Sequence, residues 1–578
     1  MKKRFIAGVL GIMMLATLLA GCGKKSDSVS MWPSDTNGDQ VDVITPWTPE
    51  IGTTEETQEP AQGNVTAGAT DDAEVSTEAV EDGMCWDVET ECDMSVMEAP
   101  YIPYEPYGNE EYGEIEENGF LSVAEQPLST FSADVDTASY SNLRRMILDG
   151  YELDWIPEDS VRIEEMINYF DYDYSGPKAG EPFGVNTEIA QCPWNEDSYV
   201  MMVGLQTEEI DFSDAAPSNL VFLIDVSGSM YSEDKLPLLQ KSFAMLATNL
   251  TAKDRVSIVT YAGDDRIVLQ GARGNDVETI VNALNNLEAG GSTNGSAGIS
   301  TAYELAEEYF IEGGNNRVIL ATDGDLNVGL TSEDELEWLI TQKRETGVFL
   351  SVLGFGTGNI KDNKMETLAD CGNGNYAYID SLNEARKVLV EEMGATLVTV
   401  AKDVKFQMEF NPDVVAEYRL IGYENRALAN EDFTDDTKDA GEIGAGHSVT
   451  VLYEVKLVPG EKSYAAQEWS TLHIRYKAPE ADESRQLDYV MGSDRLGFRA
   501  SEDLQFACCV AQFGMLLRDS DYAGSATYEG VYECLEDLRA VNTDEYKQEF
   551  AWMVQQVMWM ADYADVCGYP VDDYYWYE

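Results

Sequence analysis

Asn219-Leu-Val-Phe-Leu-Ile-Asp225-Val-Ser227-Gly-Ser229-Met230 runs from a purely apolar stretch straight into Asp-x-Ser-x-Ser. Leu220–Ile224 does not alternate with polar residues, which is the signature of a strand buried on both faces. Similar runs recur at Val256–Tyr261, Val318–Ala321 and Val348–Phe355. Stretches with helical apolar spacing separate them, near 235–250, 276–288, 296–311, 332–346 and 361–370. Short apolar strands alternating with helices predict an α/β module over residues 215–396, a doubly wound, mainly parallel, Rossmann-like sheet with helices on both faces. Ligands on such sheets bind beyond the carboxyl ends of the strands. That places the candidate site in the loops after Ile224, Leu287 and Ala321.

Those loops carry two more polar signatures, Gly290-Gly-Ser-Thr293-Asn294-Gly295 and Val318-Ile-Leu-Ala-Thr-Asp323-Gly324. Together the three pieces resemble the metal-ion-dependent adhesion site of von Willebrand factor type A (VWA) domains. The resemblance implies that Ser227, Ser229 and Thr293 supply hydroxyl ligands, with Asp225 and Asp323 acting largely through bound water. The donors are hard oxygens, which suit Mg²⁺, or Ca²⁺ or Mn²⁺, over zinc or copper. With few charged direct ligands the ion stays net positive and keeps an open position for a partner's carboxylate. The plainer alternative is that Ser227 and Ser229 cap the following helix and Asp323 makes a turn. Asp325 is a turn residue or an outlying acid of the site.

The flanks extend the resemblance to a bacterial VWA lipoprotein family. Pro127-Leu-Ser-Thr-Phe-Ser-Ala-Asp-Val-Asp-Thr-Ala-Ser-Tyr140 and Val161–Phe170 look like that family's N-terminal extension, here residues 119–183. Tyr418–Arg426 and Asp435–Gly444 look like its C-terminal domain. Within the extension Asp134 and Asp136 resemble a phosphatase Asp-x-Asp loop, but Ala138 stands where the threonine belongs, so they are expected to cap a helix starting near Ser139. Val404–Phe410, Val414–Leu420, Val449–Leu457 and Thr471–Tyr476 predict a β-sandwich over 397–500. Two strands within 184–214 are expected to join that sandwich, and 501–578 reads as helical.

Lys2, Lys3 and Arg4 precede an apolar run from Phe5 to Gly21, too short to span a bilayer and flanked like a secretion signal. It ends in Leu19-Ala20-Gly21-Cys22, which resembles a bacterial lipobox. The resemblance implies removal of the signal before Cys22, lipidation of that cysteine, and an extracytoplasmic chain held at the cell membrane by its lipid alone. Ordinary cleavage at a small-residue site is the alternative. Residues 23–118 carry 25 acidic residues against Lys24 and Lys25 and read as a disordered, self-repelling spacer. Its Tyr101–Tyr107 stretch, rich in Pro and Tyr, is a spacer end or a docking segment.

The formal charge of -70 repels phosphate backbones and excludes nucleic acid as a partner. Hydrolytic chemistry is poorly provided for. There are two histidines, His447 and His473, and neither His-Glu-x-x-His nor Gly-x-Ser-x-Gly occurs. Cys85 and Cys92 are close enough in sequence to pair, whereas Cys508-Cys509 lies in an apolar helical stretch and reads as core. The expected function is therefore binding, not catalysis: a surface adhesion or scaffold protein that grips an acidic residue of a protein partner, or of another copy of itself, through the metal. A metal-rigidified structural envelope protein and an accessory to an envelope-acting enzyme are the alternatives.

Overall fold

The computed structural model describes residues 109–567, apart from 134–135, 211–214, 263, 292–297, 325–332, 395–397, 439, 461–467, 480, 482 and 498. The signal, Cys22 and most of the acidic spacer therefore lie outside the described residues.

In chain order, β1 (Leu121–Ser122) and β2 (Leu128–Ser132) precede α1 (Ala138–Leu148) and α2 (Ile163–Asn168), and β3 (Phe183–Gln191) and β4 (Tyr199–Thr207) follow. The α/β module comprises β5 (Ser218–Asp225), α3 (Leu236–Ala247), β6 (Arg255–Ala262), β7 (Asp264–Arg273), α4 (Val277–Asn285) and α5 (Gly298–Glu308). It continues through β8 (Asn315–Thr322), α6 (Glu333–Arg344), β9 (Val348–Phe355), α7 (Asp362–Cys371), β10 (Tyr376–Ile379) and α8 (Leu382–Arg386). Then come β11 (Thr399–Phe410), β12 (Val415–Ile421), β13 (Ile443–Gly444), β14 (Ser448–Leu457), β15 (Ser470–Lys477) and β16 (Ser484–Met491). Three helices close the described chain, α9 (Glu502–Leu517), α10 (Tyr528–Asp537) and α11 (Glu545–Cys567).

The module's six strands run in the order β10-β9-β8-β5-β6-β7. All neighbours are parallel except β6 and β7, which pair antiparallel at one edge. Alternate residues of β5 enter different cores. Leu220, Phe222 and Ile224 pack with residues of α3, α4 and α8, while Val221 and Leu223 pack with residues of α5, α6 and α7. Burial on both faces is why Leu220–Ile224 is unbroken by polar residues.

β3 and β4 pair with β14 in a five-stranded antiparallel sheet, β1-β12-β14-β4-β3, so the α/β module is inserted between strands of one sheet. A second antiparallel sheet runs β13-β11-β15-β16, with β2 paired to β11. The two sheets share a core that includes Met201, Val203, Phe406, Met408, Val451, Trp469 and Ile474. The opposite face of the first sheet, through Val200, Met202, Ile421 and Leu452, packs on α1, α2 and the C-terminal helices.

Buried and half-buried arginines join these parts. Arg144 on α1 donates to both oxygens of Asp380 at 2.6 and 2.8 Å, to Glu384 at 2.7 Å and to Glu549 on α11 at 2.8 Å. Arg426 reaches Asp136 at 3.1 Å and Glu366 on α7 at 3.2 Å.

Two expectations change. Asp136 does not cap α1: one oxygen accepts from the Tyr376 amide at 2.8 Å and the other pairs with Arg426. Glu165 on α2 instead accepts from the Ser139 amide at 2.8 Å. Asp136 is drawn to its tertiary partners because Arg426 gives this buried carboxylate a charged donor beside the Tyr376 amide. Residues 109–111, assigned to the spacer by composition, are also held against the folded body. Asn109 and Glu111 donate their amides to the carbonyls of Gly358 and Ile360 at 2.9 and 2.8 Å, and Glu110 is buried against Arg145 at 2.9 Å.

Candidate metal site

β5 delivers Asp225 to the carboxyl edge of the sheet, where it is fully buried. One of its oxygens accepts from the Ser227 amide at 2.8 Å, which turns the chain back over the strand end. Thr322, the last residue of β8, donates its hydroxyl to the other oxygen at 3.4 Å. Burial, and next to it the charge of Asp225, keeps the Tyr261 hydroxyl far above its ordinary pKa, so this phenol stays neutral beside the carboxylate.

Ser227 precedes a 3-10 turn over Gly228–Tyr231 and makes no capping hydrogen bond from its side chain. The next helix, α3, starts at Leu236 behind Lys235, far from either serine. The Ser227 and Ser229 hydroxyls instead lie 2.9 Å apart, Ser227 buried and Ser229 exposed. The helix-capping alternative is thereby set aside. The second loop leans on the first: the Gly290 amide donates to the Val226 carbonyl at 2.8 Å. Thr293, three residues further, lies outside the described residues, as does Asp325.

Asp323 follows β8 and is fully buried. Its Oδ2 accepts from the Lys235 amine at 2.9 Å, and the same amine donates to Asn359 Oδ1 at 3.1 Å. Its Oδ1 is buried with no hydrogen-bond partner among the described residues. Gly324 comes next with φ of +109°, and a Cβ there would lie 2.3 Å from the Asn359 carbonyl oxygen. Only glycine lets the loop turn this close to the 359–361 backbone.

Four of the five expected site residues, Asp225, Ser227, Ser229 and Asp323, thus sit at the carboxyl ends of the neighbouring strands β5 and β8. Among the described residues no group of three or more His, Cys, Asp or Glu side chains could hold a metal ion. The donor set here is two carboxylates plus hydroxyls, a chemistry suited to hard cations. A buried carboxylate oxygen without a donor fits such a cation, because leaving it unpaired costs free energy. Sequence reading did not single out Lys235, Asn359, Tyr261 or Thr322. Lys235 lies 88 residues from Asp323, and no local pattern announces the contact.

Three sequence profiles match the chain: "von Willebrand factor" over residues 106–202, "von Willebrand factor type A domain" over 219–391, and "Uncharacterized protein YfbK, C-terminal" over 395–560. The Escherichia coli K12 protein YfbK is 41% identical over 470 residues, covering 78% of this chain and 81% of its own length. The chain belongs to the YfbK family. Beyond that family, human inter-alpha-trypsin inhibitor heavy chain H3 is 24% identical over 274 residues, 44% of this chain and 30% of that one. Among solved structures, a von Willebrand factor type A protein from Catenulispora acidiphila is 15% identical with a TM-score of 0.38, covering 67% of this chain and 91% of its own. The VWA2 paralog of ArnB from Sulfolobus acidocaldarius is 16% identical with a TM-score of 0.34, covering 65% and 97%. The VWA domain is an adhesion and interaction module, and this YfbK-family member is accordingly a protein of the interaction class, not an enzyme.

Proposed function

We propose that this YfbK-family chain is a lipid-anchored, extracytoplasmic binding protein that engages a protein partner's Asp or Glu through a divalent ion. The ion, Mg²⁺ or else Ca²⁺ or Mn²⁺, would be held by Asp225, Ser227, Ser229, Thr293 and Asp323, and it supplies the positive charge that the partner's carboxylate completes. The observation that carries this is the buried Oδ1 of Asp323, without a donor among the described residues, at the end of the strand next to the one whose loop carries the paired serine hydroxyls. The partner is a surface protein presenting an acidic side chain, and another copy of this chain qualifies. Attachment to the membrane runs through lipid on Cys22.

Calorimetric titration of the protein with Mg²⁺ and Ca²⁺ tests the site. Asp225→Ala should weaken binding about 10–100-fold, the usual cost of losing a residue that orients a metal's ligands or water. Unchanged affinity in that variant, or no binding by the parent protein, would remove the metal from this account.

A further inference from the structure

At the end of the module opposite the metal loops, the α/β sheet and the second antiparallel sheet face each other across a cleft. A cavity of about 730 Å³ occupies it. The module supplies Phe310 and Asn315 around the start of β8, Arg344 at the end of α6 and Asn373 before β10. The other wall supplies Lys402 and Asp403 of β11, Asp436 and Glu442 before β13, and Lys477 at the end of β15. Asn316, also in the lining, stands at the start of β8, and Asp323 follows its end. At about 3.3 Å per residue, roughly 23 Å of strand separate this cavity from the metal loops.

The backbone of both walls is bent to serve the cleft. β11 shifts register against β15 between Lys402 and Lys405, with Asp403 at φ of +49°. Regular alternation would send Lys402 and Asp403 to opposite faces, whereas the bulge lets both border the cavity. Asn373 is left-handed too, at φ of +51°. Its amide donates to Glu442 at 2.7 Å and its oxygen accepts from Arg344 at 2.9 Å, so it links one wall to the other. The charges are unevenly matched. Asp403 pairs with Lys477 at 2.6 Å and Asp436 with Arg475 at 3.0 Å. The half-buried Lys402 amine makes neither a hydrogen bond nor an ion pair among the described residues. In a chain of charge -70, an amine in a cleft without a carboxylate of its own is a vacancy for an outside anion. Near it the Phe310 ring is exposed.

We propose that this cleft binds an acidic sugar, a saccharide ring that carries a carboxylate or phosphate group. Clefts between packed units are favoured places for small ligands. The oxyanion is taken by the Lys402 amine from one wall and the Arg344 guanidinium from the other, both as charge-assisted hydrogen bonds. The sugar ring lies on Phe310, and its hydroxyls meet the Asn315 amide and the carboxylates of Asp403 and Asp436. An ionised carboxylate offers about four acceptor positions, so one already ion-paired still accepts from a hydroxyl. The same carboxylates repel a bare polyanion, which is why a sugar with one acidic group fits and a phosphate chain does not. This inference is independent of the metal site.

The full-length protein is titrated calorimetrically with glucuronate and with glucose 1-phosphate, and separately with glucose and with inorganic phosphate. Saturable binding is expected for at least one of the two acidic sugars, at least about tenfold tighter than for glucose or phosphate alone. The tighter of the two identifies the oxyanion. Lys402→Gln removes no contact within the folded protein and should weaken that binding by about tenfold or more, as loss of a charge-assisted hydrogen bond does. Its melting temperature and Mg²⁺ titration should match those of the parent. Phe310→Ala should weaken the acidic sugar and leave any residual binding of phosphate unchanged. No binding of either acidic sugar, phosphate alone binding as tightly, or a Lys402→Gln protein that binds like the parent would each overturn the proposal. None of these results bears on the metal-site reading, which the Mg²⁺ titration tests by itself.

Discussion

Asp323 divides its two oxygens between different requirements. Oδ2 is neutralised by Lys235, and Oδ1 is buried without a donor among the described residues. The lysine thus stabilises the loop as it stands, while at the proposed metal site its charge would oppose an incoming cation. Replacing it separates those effects. Lys235→Met should destabilise the metal-free protein by about 3 kcal/mol, because it leaves a buried carboxylate unpaired. The same change should tighten Mg²⁺ binding by about tenfold, equal to ~1.4 kcal/mol. Melting with and without Mg²⁺, together with calorimetry, reads both; a variant that loses stability and also binds metal more weakly would show that Lys235 merely scaffolds the loop. A different buried group sets a pH dependence. Burial pushes the Cys192 thiol up to about 12. The folded value lies above the unfolded one, so this group's contribution to stability is complete below about pH 8.5 and is lost as pH rises towards the folded value. Iodoacetamide at pH 8.5 should therefore spare Cys192 in the native protein and label it after denaturation. Native labelling would contradict the burial.

At the scale of elements, ion pairs and not apolar area alone tie the α/β module to its neighbours. Arg144 is the clearest case, since it bonds α1 at once to Asp380 and Glu384 of the module and to Glu549 of α11. Arg144→Ala would strand Glu384, whose carboxyl burial already raises in pKa. The expected loss is about 3–5 kcal/mol, measured by urea unfolding, and a loss below 1 kcal/mol would mean that the junction repacks. Such contacts also mark the limit of what the sequence discloses. β5, β6, β8 and β9 are legible because two-sided burial writes them as unbroken apolar runs. β7 is not: it sits at the sheet edge, starts Asp264-Asp265-Arg266, and is interrupted by register shifts against β6. β2 is hidden for a different reason, since it pairs with β11 across some 275 residues of chain. At the site, Asp225, Ser227, Ser229 and Asp323 stand out because each ends a strand or follows one within a few residues. Lys235 and Glu110 do not, because their partners are brought to them only by the fold: the Glu110 carboxylate accepts from the Gly358 amide, 248 residues away.

For the molecule as a whole, charge and attachment pull against each other. A formal charge of -70 is repelled by the anionic lipid and acidic polymers of a bacterial surface. Among the described residues no helix is long and apolar enough to cross a membrane. Residence at the surface, as proposed here, then depends on acyl chains carried by Cys22, and one chain gives only marginal binding where two give a stable anchor. Cys22→Ala leaves the apolar run of residues 5–21 intact but removes the atom that would carry lipid. In a detergent phase-partition assay the parent protein should enter the detergent phase and the variant the aqueous phase, with the parent heavier than its peptide mass by the acyl groups. The acid excess sharpens the result, since a chain without lipid has electrostatic reason to leave the membrane. A Cys22→Ala protein that remained in the detergent phase would place the anchor elsewhere.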